Sequence, residues 1–267
     1  EPARIALMLY IAGYAVRQQM QLRTRFIGLA RPMLVLTIAA ALLLAEPDFG
    51  AATVLLATTL AMLFAAGARL RDFAVFAIAG CFAFVALAVT SEYRLRRLTA
   101  FLNPWADPYD SGFQLTHSLM AIGRGEWFGV GLGDSVQKLF YLPEAHTDFV
   151  FAVFAEEFGL LGAVVLIGLF LLLVIRILRL SSRAASNGLW FQAHVALGIA
   201  TWLGLQTFIN IGVNVGLLPT KGLTLPLVSY GRSSIIVVLT AIGLLLRIHH
   251  ETVAAETDIP RGKGAKR

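Results

Sequence analysis

The run FVFAVFAEEFGLLGAVVLIGLFLLLVI, residues 149–175, leaves a chain few ways to fold. It is long enough to cross a bilayer, and its only charges are the adjacent Glu156 and Glu157. Further apolar segments cover 5–16, 33–45, 49–68, 73–90, 189–217 and 223–246. None shows the two-residue alternation of a membrane β-strand. With 58% hydrophobic and only 14% charged residues, the chain reads as an all-α integral membrane protein. The expected fold is a polytopic helical bundle.

Charge orders the segments. Arg17, Arg23, Arg25 and Arg31 lie between the first two, Arg69 and Arg71 follow the third, and Arg176, Arg179 and Arg183 follow the fifth. Every second loop is basic, which puts those loops and the C-terminus in the cytoplasm. The net charge of +6 is spread over these loops, a membrane-orientation signal with no nucleic-acid partner implied. One large outer loop is expected at about 91–148. The membrane domain is expected over 1–250, followed by a cytoplasmic basic tail, 251–267. The first segment is too short to span and opens in mid-pattern, so an N-terminal part is expected to be missing. Cys81 is the single cysteine, which excludes disulfides and thiolate metal clusters.

Two segments fit poorly. Residues 33–45 would span only about 20 Å, so the following EPDFG is expected in a recess. The segment 223–246 is interrupted by SYGRSS, and such polar backbone at membrane depth lines a cavity or is covered by protein.

Three outer motifs hold chemistry-bearing groups. Asp148 immediately precedes the longest apolar run, where it reads either as a helix N-cap or as a general base. Glu156 and Glu157 fall about two turns further on and are expected to face cations inside the bundle, as structural ion pairs. Glu46 and Asp48 form a second acidic place, either a solvated turn or a recess. Lys221 is an outward cation that breaks the charge trend. It reads as a snorkelling side chain or, with Ser229, Ser233 and Ser234, as a contact for an anion such as pyrophosphate. His146 has no second His or Cys at ligand spacing, so no metal site is expected. GVGLGD, 129–134, lacks the preceding strand of a phosphate loop and is rejected as one. Together these motifs suggest one external cavity, acidic on one wall and basic on another.

The stretch RRLTAFLNPWADPYDSGFQLTHSLMAIGRGEWFGVGLGDSVQKLFYLPEAHTDFVFAVFAEEFGLLG resembles the large periplasmic loop and following helix of the SEDS family (shape, elongation, division and sporulation). LPTKGLTLPLVSYG resembles that family's near-C-terminal motif, in the wording of its division branch. The likeness covers nearly the whole chain, about seven of the family's ten segments.

The resemblance implies a peptidoglycan glycosyltransferase that polymerises lipid II in septal wall synthesis at the bacterial inner membrane. Its partners would be a class B penicillin-binding transpeptidase and other divisome membrane proteins. It maps the catalytic acid onto Asp148, with Glu144 and His146 as neighbours, and the division-type lysine onto Lys221. Arg97 and Lys138 are weaker candidates for meeting the leaving pyrophosphate, and Mg²⁺ enters only as a family-implied cofactor. The chain departs from the family at Arg232, where glycine is usual, at Phe140, where several members carry an acid, and at Glu46, where glutamine is usual. A lipid-linked precursor flippase and a non-catalytic scaffold for a transpeptidase are the rival readings.

Overall fold

The computed structural model describes residues 1–46, 48–89, 101–110, 112–139, 142–220 and 222–258, with the side chains of 83, 84 and 86–89 excepted. Among the described residues there is no strand. The helices are α1 (Pro2–Arg17), α2 (Gln19–Thr24), α3 (Phe26–Ala45), α4 (Phe49–Ala65), α5 (Leu70–Val89), α6 (Phe113–Gly125), α7 (Val150–Ser186), α8 (Trp190–Asn214) and α9 (Arg232–Asp258). α3, α7, α8 and residues Arg232–Thr257 of α9 are long and apolar enough to cross a membrane. This is the all-α membrane architecture expected.

α8 is the central helix. It packs against α7, α4 and α1, and α3 lies on the far side of α4. Its side chains Trp202, Ile199 and Leu203 join Met8 and Ile11 of α1 and Met62 and Leu63 of α4 in the main core. α7, by contrast, leaves Leu161, Val165, Leu169 and Leu172 exposed along one face, as a lipid-facing span requires. A lipid-facing apolar groove of about 280 Å³ runs between α7 and α8, lined by Phe170, Val174, Gly204, Thr207 and Phe208.

Three expectations about segments change. α3 begins at Phe26 and runs for 20 residues, with Pro32 in its second turn, so it is about 30 Å long and not short. Arg31 is exposed near its N-terminal end, and counting this residue as loop truncated the segment. SYGRSS does not interrupt a helix, because α9 starts at Arg232 and residues 222–231 precede it as turns and extended chain. The 250/251 boundary falls inside α9, which continues to Asp258. Thr252 is buried there, and the Asn187 amide donates to its carbonyl. Residues 259–267 of the expected tail lie outside the described residues.

α7 carries the bundle's main irregularity. Gly159 sits at φ 68°, ψ −168°, a conformation that in practice only glycine adopts, and it divides α7 into a short N-terminal helix and a long span. The freed backbone groups are met by the loop after α6. Leu160 N and Leu161 N donate to Glu126 O and Trp127 O, while Val130 N and Gly131 N donate to Glu156 O and Glu157 O. A Cβ at Gly129 would lie 2.1 Å from Glu157 O, so this approach needs glycine there too. The glycines of GVGLGD therefore complete a broken membrane helix, which is the requirement for irregular backbone at such depth.

Candidate functional site

Three stretches distant in sequence meet at one end of the bundle. Asp48, at the start of α4, lies close enough to Asp148 to act on it electrostatically. A Cβ on Gly50 would meet the Leu223 side chain at 2.8 Å, so α4 begins against the 222–231 segment. That segment is pinned in turn to the residues before α7. Tyr230 N donates to His146 O at 2.8 Å, and Ser229 Oγ donates to Thr147 O at 2.5 Å. The starts of α4 and α7 and the 222–231 segment therefore meet, while the basic wall expected at Lys221 lies outside the described residues.

Asp148 is held by its main chain and left open at its side chain. Glu144 adopts φ 55°, and its carbonyl collects Thr147 N and Phe149 N at 3.1 and 3.2 Å, closing the turn that presents Asp148. The Asp148 carbonyl accepts from two buried amides of α8, Asn210 Nδ2 at 2.8 Å and Asn214 Nδ2 at 3.0 Å. Its carboxylate has no hydrogen-bond partner among the described residues. Oδ2 lies 3.1 Å from where a Cβ on Gly222, the residue after Lys221, would stand.

The helix-cap reading of Asp148 does not survive. The residue at the cap position of α7 is Phe149, with no side-chain cap of its own, and Ala152 N is served by Asn214 Oδ1 at 3.1 Å. The side chain that does cap a helix is Asp48, whose Oδ1 accepts from Ala51 N at 2.8 Å. Burial, then the neighbouring carboxylates of Glu144 and Asp48, push the Asp148 carboxyl up to about 6. A half-buried carboxylate with such a value, and with no hydrogen-bond partner among the described residues, can take a proton from a hydroxyl near neutral pH.

The other candidates sort by position. Glu144 and His146 are exposed at the mouth of this turn, Glu144 Oε2 accepting from Thr147 Oγ1 at 2.7 Å. Ser229 is buried and its oxygen is used twice, donating to Thr147 O and accepting from Leu225 N, so it joins two segments of scaffold. Ser234 is buried with its Oγ 3.4 Å from Thr224 Oγ1, and Ser233 is exposed in the first turn of α9. Arg232 is also exposed, its Nε donating to the Tyr230 hydroxyl at 3.3 Å. Lys221, Arg97 and Phe140 lie outside the described residues.

The expectation that Glu156 and Glu157 are structural is met. Glu156 is 0% exposed and receives Arg124 Nη1 at 3.3 Å, Ser135 Oγ at 2.5 Å, and the backbone N–H groups of Val136 and Gln137. Glu157 pairs with Lys138 Nζ at 2.6 Å. Lys138 also donates to Gly133 O, so its ammonium is engaged within the loop that completes α7.

Sequence reasoning missed the amides that hold the site. Gln206, Asn210 and Asn214 stand four residues apart on α8, and this spacing in an apolar span was the available signal. Gln206 Oε1 accepts from Arg4 Nη1 at 2.9 Å and Trp202 Nε1 at 2.6 Å, and its Nε2 donates to Thr224 O at 2.9 Å. The buried Arg4, also missed, lies over the Trp202 ring at 5.4 Å.

The family model described as "Cell cycle protein", built on FtsW, RodA and SpoVE, matches residues 1–254. The chain belongs to this cell cycle protein family. Relatives in the family include the "Probable peptidoglycan glycosyltransferase FtsW" of Thioalkalivibrio sulfidiphilus, 57% identical over 95% of this chain, and that of Coxiella burnetii, 54% identical over 94%. The chain spans 63% and 68% of the length of these two relatives. Among solved structures, a chain of a peptidoglycan synthase complex that coordinates polymerization and crosslinking is 32% identical with TM-score 0.69, covering 92% of this chain and 70% of its own. The Thermus thermophilus rod shape determining protein RodA is 30% identical with TM-score 0.59, over 92% of this chain and 65% of its own.

Among the described residues no three His, Cys, Asp or Glu side chains are grouped to hold a metal ion.

Proposed function

We propose that the protein is a peptidoglycan glycosyltransferase that polymerises lipid II into septal glycan strands. One observation carries the reading. In a chain 57% identical to a protein named as such an enzyme, the Asp148 carboxylate stands half-buried and unbonded among described residues, with its value raised to about 6. Asp148 accepts the proton of the acceptor sugar's 4-hydroxyl as that oxygen attacks the donor's anomeric carbon. The bond from that carbon to the undecaprenyl pyrophosphate oxygen breaks, and the configuration inverts. Lys221 is the first cation proposed to meet the departing pyrophosphate, with Arg97 second. Ser233 and Arg232 at the exposed start of α9 offer further donors on the same side as Tyr230.

The α8 amides and the turn at Glu144 hold the base in place, so little reorganisation is needed at the moment of reaction. The site works at the inner membrane with its mouth outward and the C-terminus cytoplasmic, where the lipid-linked substrate arrives already anchored. A class B penicillin-binding transpeptidase is the proposed partner, supported by the likeness to a chain from a complex of polymerization and crosslinking.

The test uses the full-length protein in detergent or liposomes with purified lipid II, alone and with the transpeptidase. Glycan product from the parent and none from Asp148→Asn supports the reading. Movement of lipid II across liposomes with no polymer from the parent under any condition would replace it with the flippase.

A further inference from the structure

Asn210 differs from the amides on either side of it. Gln206 and Asn214 each satisfy both ends of their side chains, Asn214 through Ala152 N, Asp148 O and Asn210 O. Asn210 is 2% exposed, and its Oδ1 has no partner among the described residues. A buried acceptor left open is destabilising, so stability alone does not account for an amide at this position. Its two N–H groups are fully used. Nδ2 donates to Asp148 O at 2.8 Å and to Leu223 O at 2.6 Å. One nitrogen thus joins the main chain of the residue bearing the candidate base to the segment that follows Lys221. Both acceptors are carbonyls, which also fixes which way the amide points.

We infer that Asn210 is a positioning residue, setting the separation of the Asp148 carboxylate from the Gly222 segment. The inference rests on the reading of Asp148 as the base. The separation is short: Oδ2 stands 3.1 Å from the Cβ direction of Gly222, and the carboxylate is left free of partners among the described residues. Ser229 ties the neighbouring carbonyl of Thr147 to the 225–229 turn, yet only Asn210, among the described side chains, bonds both Asp148 and Leu223. Losing its two donors would let Asp148 move relative to the donor-sugar side of the site. Displacements of about 1 Å cost roughly a hundredfold in rate. Among the described residues, the charged groups acting on Asp148 are Glu144, from its own turn, and Asp48, from the start of α4. A loosened Asp148 would move away from this arrangement and toward solvent.

The experiment measures lipid II polymerisation by the full-length protein across pH, with folding followed by thermal unfolding. Asn210→Leu keeps the size and removes both donors. Its kcat should fall roughly ten- to a hundredfold while KM for lipid II changes little, and its acid limb should move to lower pH. Asn210→Ser retains one donor and should recover part of the rate, and it supplies the same readouts if the leucine variant does not fold. Thr207→Val is the control on the same helix, since the Thr207 hydroxyl has no partner among the described residues, and it should match the parent in kcat and pH profile. Folded Asn210 variants with the parent's kcat and acid limb would overturn the inference while Asp148→Asn stays inactive. Parent-level polymerisation by Asp148→Asn would overturn the base reading and this inference together.

Discussion

Replacing Asp148 by asparagine should uncouple activity from stability, and the structure gives a sign for each. The carboxylate moves from its ordinary value of 3.8 to about 6 in the folded protein. The folded state therefore holds its proton more tightly than the unfolded chain does. Stability from this group is fully present below pH 3.8 and is lost as the pH rises through about 6. The full difference corresponds to ~3 kcal/mol, and for a half-buried side chain solvent screening reduces it to on the order of 1 kcal/mol. Asparagine imitates the protonated form. At pH 7.5 the Asp148→Asn protein should unfold about 2–4 °C above the parent, and the gap should close toward pH 4.5. Its glycan synthesis should fall by roughly 10²–10⁴-fold, the usual worth of a general base. Thermal unfolding in detergent and a lipid II polymerisation assay on the same preparations supply both numbers. A variant less stable than the parent by the same amount at every pH would show that the carboxylate is a structural acceptor. Parent-level polymerisation would end the base assignment.

Other perturbations follow from the same contacts. Glu144→Gln and Asp48→Asn each remove a negative neighbour of Asp148, so the acid limb of the polymerisation profile should shift to lower pH, more for Glu144 than for Asp48. An unmoved limb in both would mean that another group titrates there. Lys221→Ala should weaken use of lipid II more than Lys221→Arg does, measured as kcat/KM, because the second keeps the charge. Gly129→Ala would force a Cβ to within 2.1 Å of Glu157 O, and thermal unfolding should show a loss of about 1–3 kcal/mol. Cysteines introduced at Ser111 and Ser182 in a Cys81→Ala background should label from opposite sides of the membrane with an impermeant reagent.

Much of this was legible in the sequence because lipid permits so few solutions. Long apolar runs mark α7, α8 and, past SYGRSS, α9, and the cost of ionisable groups in lipid marks Glu156 and Glu157 as paired before any partner is visible. The partners themselves were not legible. Arg124 ends α6, and Ser135 and Lys138 come from the loop after it, whose sequence, rich in glycine, fits many conformations. The cap at α7 was misassigned for a related reason. Aspartate before a helix is a good local rule, but Asn214, 62 positions away, supplies the acceptor, and residue order says nothing about that contact. The polar residues of α8 carry no charge and stand out little in an apolar run, yet neutral amides hold the site.

The acids of residues 144–157 thus divide by what their oxygens touch. Glu156 accepts from Arg124, Ser135 and two backbone N–H groups, and Glu157 from Lys138. These contacts bind the end of α6 and the loop after it against the break at Gly159. Asp148 lies about two turns away, just before the start of the short helix Val150–Phe158. There burial acts on a carboxylate with no donor among the described residues, and its proton is held up to about 6. The short helix Val150–Phe158 separates the two environments and is gripped at both ends, by Asn214 at its start and by the loop backbone at its close. Loosening the Gly159 end should therefore reach Asp148 only through that helix. Gly129→Ala should accordingly cost stability first, with polymerisation per folded molecule falling less than it does in Asn210→Leu.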